Sequence, residues 1–224
     1  MFMELGEYLP FWKKLTEAER RTLAGSVQRR RFEKGQVLHH GADECTGLIL
    51  TLDGQLRVYT ISEEGRELTL YRLLERDLCI FSAPCMVKSI LFDVIVEAEQ
   101  DTEILHIPVD VYRDLMDNSA AVANFTNELM AARFSDVMWL MDQVLNKKID
   151  SRLAAFLLEE SGLDETRKLS ITHDQIARHM GTAREVITRM LKAFQADGLV
   201  KLTRGGIELL NEKRLTELAA DSLR

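Results

Sequence analysis

The sequence predicts an α+β fold in which a β-rich N-terminal domain, one long helix and a small helical C-terminal domain follow one another. From about Gln28 to Pro108, short runs of β-forming residues alternate with turn residues. After Ser119, apolar residues recur at helical spacing, and at Thr172 a capping motif begins a pair of short helices. These changes predict three domains, at residues 1–108, 109–147 and 148–224.

The composition is that of an ordered protein. Of its 224 residues, 46% are hydrophobic and 29% are charged, a balance that disordered chains lack. No run reaches the roughly 18 consecutive apolar residues of a membrane-spanning helix, and residues 1–15 do not resemble a signal peptide. We therefore expect a cytoplasmic protein with no membrane partner. In that compartment Cys45, Cys79 and Cys85 are expected to be thiols, either buried or reactive.

A β-sandwich or barrel with a helix before it is predicted for the N-terminal domain. Asp53-Gly54 and Glu64-Gly65 supply the backbone conformations that hairpin turns need. The predicted strands cover residues 36–40, 46–52, 55–61, 67–74, 93–98 and 103–107.

A short helix is predicted over residues 109–116, and Asn118 or Ser119 caps a long helix that runs to about Asn146. Five of its apolar residues are spaced by alternating steps of four and three, as along a coiled-coil seam: Met130, Phe134, Val137, Met141 and Val144. Two interpretations fit this pattern equally well. The helix pairs with the same helix of a second copy, or it packs only against its own domain.

The C-terminal domain contains a helix-turn-helix pattern. Thr172 and Gln175 form a capping box that begins one helix, and Gly181 ends it because a residue without Cβ readily adopts the left-handed conformation. A second helix is predicted over residues 182–196. Its expected buried residues are Ile187, Met190, Leu191 and Phe194. An ordinary pair of packed helices shares part of this pattern.

The polar face of the second helix carries groups that can read DNA bases: Arg184, Glu185, Thr188 and Arg189. An arginine can donate to both O6 and N7 of guanine, and a glutamate can accept from the amino group of cytosine. Alternatively, Glu185 and Arg189 form only a surface ion pair, since they are four residues apart.

Positive charge is concentrated around this helix. The net charge of −7 arises entirely in residues 1–149, while residues 178–204 contain six basic and two acidic residues. A β-hairpin, predicted over residues 199–203 and 207–210, extends the basic region. Contacts with DNA phosphates are predicted for Thr172, Thr182, Lys201 and Arg204. Alternatively, these basic residues are only the solvent-exposed face of a helix.

The winged helix-turn-helix of the cyclic-AMP receptor protein and fumarate-nitrate regulator (CRP/FNR) family closely resembles residues 171–210, ITHDQIARHMGTAREVITRMLKAFQADGLVKLTRGGIELL. The family pattern Arg-Glu-x-x-x-Arg falls on Arg184, Glu185 and Arg189. Residues 33–77, with Asp53-Gly54, resemble the family's cyclic-nucleotide-binding-type jelly roll, so the resemblance covers essentially the whole chain. It implies a homodimer, joined by the long helix, that binds palindromic double-stranded DNA and acts on RNA polymerase.

The resemblance departs from the cyclic-AMP-binding members where the nucleotide would bind. Those members have a Glu, an Arg-Ser pair and a Thr-Ser pair, where this sequence has Phe81, Phe92-Asp93 and Val137-Met138. A buried phosphate would meet an aspartate instead of a guanidinium. Cyclic AMP is therefore disfavoured as the effector.

We predict a mainly apolar effector pocket. Its candidate lining residues are Cys79, Phe81, Ser82, Cys85, Phe92, Val137 and Met138. In order of preference, the expected signal is a neutral or aromatic small molecule, a haem, or oxidation of Cys79 and Cys85. The alternatives are ordinary buried cysteines and a pocket without an effector. His39 and His40 alternate on one strand, so at most one faces inward as a haem ligand. No metal site is predicted, and no cysteine precedes Cys45 to hold the iron–sulfur centre of oxygen-sensing members.

Two functions are compatible with the sequence. The favoured one is a transcription regulator controlled by an effector, and the alternative is a ligand-sensing module that regulates a protein partner without reading bases. An enzyme is not expected, because the sequence contains no Ser/His/Asp order, P-loop or metal-spaced triad.

Overall fold

A computed structural model of the chain describes residues 2–41, 47–79 and 93–223. It divides into two compact units. The first comprises Met1–Thr60 and Leu70–Val137, and the second comprises Ile61–Thr69 and Met138–Arg224. The predicted α+β architecture is confirmed.

The first unit begins with helices. These are α1 (Phe2–Tyr8), a 3-10 turn (Trp12–Lys14) and α2 (Glu17–Ser26). Thr16 begins α2 through a capping box, in which its hydroxyl accepts from the backbone of Glu19 and the Glu19 carboxylate accepts from the Thr16 N–H at 2.6 Å. Hydrogen bonds from Thr16 lower the pKa of Glu19, since they stabilise its charged form.

The described residues then form two four-stranded sheets. The strands are β1 (Gln28–Phe32), β2 (Val37–His40), β3 (Leu48–Asp53), β4 (Leu56–Ile61), β5 (Glu67–Leu73), β6 (Leu78–Cys79), β7 (Ile95–Ala98) and β8 (Thr102–Ile107). Their orders are β1-β8-β3-β6 and β2-β7-β4-β5. All six predicted strands are present with ends within two residues, whereas β1 and β6 were missed.

Strand β3 has apolar side chains on both faces because both faces are covered. Ile49 belongs to the core between the two sheets, together with Val58 and Val96 from the opposite sheet. Leu48 and Leu50 point the other way, into a core shared with the helices. This explains why the sequence of β3 is a nearly continuous run of apolar residues instead of an alternation of apolar and polar residues.

Two helices follow the sheets. Helix α3 (Val109–Asn118) extends two residues beyond its predicted end, and α4 (Ala120–Asn146) begins directly after Ser119. Tyr112 of α3 and Thr126 of α4 share a buried hydrogen bond between hydroxyl oxygens 2.8 Å apart. Among the described residues, no helix is both long and apolar enough to cross a membrane.

The second unit contains the remaining elements. They are α5 (Ile149–Leu163), β9 (Lys168–Leu169), α6 (His173–Met180), α7 (Arg184–Ala196), β10 (Val200–Thr203), β11 (Gly206–Leu209) and α8 (Glu212–Ala219). The hairpin β10–β11 is extended to three strands by β9, which the sequence did not predict. Helix α7 was predicted to start at Thr182 but begins at Arg184, because Ala183 has extended backbone dihedrals.

The turn between α6 and α7 depends on Gly181. Its φ is +66°, in the left-handed region predicted from the sequence. Arg152 of α5 donates from Nη2 to the carbonyl oxygen of Met180 at 3.0 Å, which satisfies the end of α6. Burial lowers the pKa of this arginine.

We predict that Gly181→Ala lowers the free energy of unfolding by about 1 kcal/mol, because an L-residue is strained at this positive φ. The added Cβ would also approach Cδ1 of Leu68 at 2.9 Å. Urea titrations measure the effect. Gly25→Ala is the matched control, since Gly25 lies within α2 with open space around its Cβ position. It is expected to be neutral or slightly stabilising, and equal losses for both variants would contradict the assigned role of Gly181.

Candidate nucleic-acid interface

Helix α6 begins at the predicted capping box. The Thr172 hydroxyl accepts from the Gln175 N–H at 3.2 Å, and the Gln175 amide oxygen accepts from the Thr172 N–H at 2.8 Å. The same amide oxygen also lies 2.9 Å from the Thr172 hydroxyl, which donates to it. Ile176 and Met180 are buried, so α6 is held on one side by the core of the second unit.

Helix α7 is fixed by its apolar face. Ile187, Leu191 and Phe194 are buried as predicted, whereas Met190 is only partly buried. Since these residues occupy one side of the helix, the polar residues are left on the other side.

The structure brings the four predicted base-reading residues together. Arg184, Glu185, Thr188 and Arg189 line one surface cavity of about 360 Å³, and Lys192 completes its wall. The charged residues of this set are exposed, while Thr188 is half-buried. Within the part of the chain that the structure describes, Glu185 and Arg189 form no ion pair with each other, so the alternative of a simple surface pair is not realised.

The four predicted phosphate contacts do not line this cavity. Thr172 caps α6, and Thr182 lies in the turn, where its N–H donates to the Ala177 carbonyl at 3.0 Å. Lys201 and Arg204 are exposed on the hairpin wing. Gln195 of α7 accepts from the Leu202 N–H at 2.8 Å and thereby connects the β10–β11 hairpin to α7.

One histidine of this region was not singled out from the sequence. His173, the first residue of α6, is half-buried, and its Nδ1 lies 3.0 Å from the hydroxyl of Thr188. Burial lowers its pKa below the ordinary value of 6.5, and the positive charges of Arg184 and Lys192 lower it further. The contact joins α6 to α7, so no local sequence spacing could have revealed it.

Most of the candidate effector pocket falls outside the described residues. This is the case for Phe81, Ser82, Cys85 and Phe92, and also for Cys45. Of the others, Cys79 is fully buried in the sandwich core. Val137 is half-buried in the first unit, whereas Met138 is 46% exposed and belongs to the second. His39 is buried and His40 exposed, as their predicted alternation requires.

A polar cluster beside Cys79 was not predicted from the sequence. Tyr71 is buried on β5, and Arg133 of α4 stacks on it with its guanidinium carbon 4.6 Å from the ring centre. Burial, and then the neighbouring Cys79 thiol, raises the pKa of the Tyr71 phenol well above 10. Arg133 Nη1 pairs with Asp136 at 2.9 Å, and both side chains are more than four-fifths buried (13% and 17% exposed). Among the described residues, Arg133 Nε has no hydrogen-bond partner.

The C-terminal half of α4 exposes an apolar stripe. Phe134 is 68% exposed, and Met141 and Val144 of the predicted seam are also exposed. Met130, the first seam residue, instead packs against the sandwich core. The interpretation that α4 packs only against its own domain therefore does not account for the later seam positions.

Among residues 2–41, 47–79 and 93–223, no group of three or more His, Cys, Asp or Glu side chains is placed to hold a metal ion.

Comparison with known proteins identifies both parts of the chain. Residues 29–119 match the model of the cyclic nucleotide-binding domain, and residues 151–218 match that of the Crp-like helix-turn-helix domain. The fumarate and nitrate reduction regulatory proteins of Yersinia pestis and Escherichia coli K12 are 27% and 28% identical to the chain. Each alignment covers 92% of this chain and 85% or 84% of the relative.

A solved structure from Eubacterium rectale, described as a transcriptional regulator of the crp/fnr family, is 50% identical with a TM-score of 0.93. The similarity covers 96% of this chain and 99% of that one. These relatives are transcription regulators and not enzymes. The two matched domain models, and a relative that is half identical over nearly its whole length, show that the chain belongs to the CRP/FNR family of DNA-binding transcription regulators.

Proposed function

We propose that the protein binds a palindromic DNA site as a homodimer and reads its bases with Arg184, Glu185, Thr188 and Arg189. The observation that carries this proposal is their common cavity on the polar face of α7. A charged side chain that reads bases must not already be paired with an opposite charge within the protein. Glu185 and Arg189 meet that condition, because they make no ion pair with each other in the described structure.

Each group in the cavity suits a different partner on DNA. The two arginines match the paired acceptors of guanine, and Glu185 matches the amino group of cytosine. The predicted phosphate contacts lie outside the cavity: Thr172, Thr182, Lys201 and Arg204. Such contacts would fix the position of the protein along the duplex without reading its sequence.

The exposed stripe of α4 supports the dimer. Three apolar side chains of this stripe are exposed: Phe134, Met141 and Val144. The same helix of a second copy, related by a two-fold axis, would bury them. Two recognition helices related by that axis would require an inverted repeat with half-site centres about 10 base pairs apart.

Ion pairing in the described part of the sandwich favours a small neutral or aromatic effector over a cyclic nucleotide. Arg133 is already neutralised by Asp136 at 2.9 Å, and Arg72 is neutralised by Glu99 at 2.8 Å. A phosphate at Arg133 would compete with Asp136, whereas an uncharged acceptor could bond to its Nε without adding charge. Haem binding and oxidation at Cys79 and Cys85 rank below this choice.

The remaining expectations follow from the family. RNA polymerase is the partner through which a regulator bound to DNA would act, and the cytoplasm is where both are found. Because Arg133 directly precedes Phe134, an effector at Arg133 would act on the helix that carries the dimer seam.

Base reading can be tested on a duplex selected from a random palindromic library by the wild-type protein. We expect Arg184→Ala or Arg189→Ala to weaken binding to this duplex by about 1–3 kcal/mol and to relax preference at one base pair. Lys201→Ala is the control and should weaken selected and random duplexes alike. Fluorescence anisotropy gives both affinities. Equal losses on the two duplexes for all three variants would exclude base reading, and wild-type protein that never prefers a duplex would favour the alternative of a protein-regulating module.

The dimer seam can be tested with Phe134→Glu. This change removes an apolar contact from both helices and places two carboxylates in the interface, so dimerisation should weaken by about 100-fold, or about 2.7 kcal/mol. Ser135→Glu adds the same charge at the neighbouring exposed position and should leave the dimer intact. Sedimentation velocity at micromolar concentration distinguishes the outcomes. A Phe134→Glu protein as dimeric as the control would place the interface elsewhere.

The effector proposal predicts no response to cyclic AMP or cyclic GMP. Arg72 and Arg133 are already paired with carboxylates, so a phosphate beside them would be desolvated without gaining a full ion pair, which costs several kcal/mol and leaves negligible affinity. Titration calorimetry with each nucleotide, followed by DNA binding in its presence, provides the test. Micromolar binding of either nucleotide, or tighter DNA binding when it is added, would refute the prediction.

A further inference from the structure

His173 lies between the start of α6 and the polar face of α7. Its Nδ1 is 3.0 Å from the Thr188 hydroxyl, and Thr188 lines the same cavity as the base-reading arginines. The other ring nitrogen, Nε2, has no hydrogen-bond partner in the described residues. The imidazole thus contacts a base-reading residue at one end and has an unused nitrogen at the other.

The surroundings of the ring oppose a positive charge in the free protein. Arg184 and Lys192 face it from α7, and burial acts in the same direction. On its own helix, the neighbouring Asp174 is engaged by Arg178 at 3.1 Å. The pKa of His173 is accordingly lowered, so the ring is mostly neutral near pH 7.

A bound DNA duplex would reverse this balance. Its phosphates carry negative charge, and Arg184 and Lys192 would turn toward that charge on binding. Both effects would stabilise the imidazolium and so raise the pKa of His173 in the complex above its value in the free protein. The complex therefore binds more protons than the separated partners in the pH range between the two pKa values.

We propose that His173 is a proton-linked DNA contact that controls which way the Thr188 hydroxyl forms hydrogen bonds. This inference rests on the proposed function of α7 as the base-reading helix. A neutral ring whose Nδ1 carries no proton accepts from Thr188, which leaves only lone pairs on the threonine oxygen for DNA. A protonated ring donates to Thr188 from Nδ1 and to a DNA acceptor from Nε2. The threonine hydroxyl is then free to donate to a base.

The sign of the effect follows from the uptake of protons. DNA affinity should rise as the pH falls through the pKa of the complex, and it should level off below the lower pKa of the free protein. The slope can reach about tenfold in affinity per pH unit for each protomer that takes up a full proton. The base preference at the position read by Thr188 should shift toward an acceptor over the same range.

The experiment uses full-length protein and the duplex selected by the wild type. Calorimetric titrations at pH 6.5, in two buffers of different ionisation enthalpy, count the protons taken up on binding. We expect uptake by the wild type and a clearly smaller uptake by His173→Gln, whose amide still forms hydrogen bonds but does not titrate. His40→Gln makes the same change at an exposed histidine of β2 and should match the wild type.

A second variant tests the link to Thr188. Thr188→Val keeps the shape of the side chain but has no hydroxyl, so it should take up protons on binding and show no pH-dependent change in base preference. Equal proton uptake by the wild type and by His173→Gln would overturn the inference while leaving base reading by α7 intact. Circular dichroism confirms that His173→Gln is folded, and if it is not, His173→Asn replaces it in the same titrations.

Discussion

The burial of Ile187, Leu191 and Phe194 fixes the direction in which α7 presents its polar side chains. Without that apolar contact the helix would be free to rotate, and Arg184 and Arg189 would not share a cavity. The same constraint reaches α6, because the turn at Gly181 and the hydrogen bond from Arg152 fix where the first helix ends. His173 is placed against Thr188 only because both helices are held in this way.

Charged side chains are paired differently in the sandwich of the first unit and on the polar face of α7. Arg72 and Arg133 are each paired with a carboxylate, so their burial leaves little net charge. On α7, by contrast, the basic side chains are exposed, and Glu185 forms no ion pair with Arg189 in the described structure. A charge that is paired within the chain can stabilise the fold. An exposed charge without such a pair is available to a binding partner of opposite charge.

Local patterns in the sequence were sufficient to predict the features that depend on neighbouring residues. The capping box at Thr172 and the left-handed Gly181 both follow from residues a few positions apart, and both are present. The contacts of His173 with Thr188 and of Arg133 with Tyr71 join distant segments, so their spacing carried no signal. Strand β1, QRRRF, was missed because it lies at the edge of its sheet and is largely exposed, which allows a run of arginines without alternation.

The hydroxyl of Thr172 has a single proton, and in this structure it is donated to the Gln175 amide oxygen. A phosphate oxygen is only an acceptor, so contact with DNA at Thr172 requires that proton to leave Gln175. One hydrogen bond within the helix is then exchanged for one between molecules, and little net enthalpy is gained. A contact between Thr172 and a phosphate would therefore add little to DNA affinity. It would instead couple the position of the DNA backbone to the hydrogen bonds in the first turn of α6.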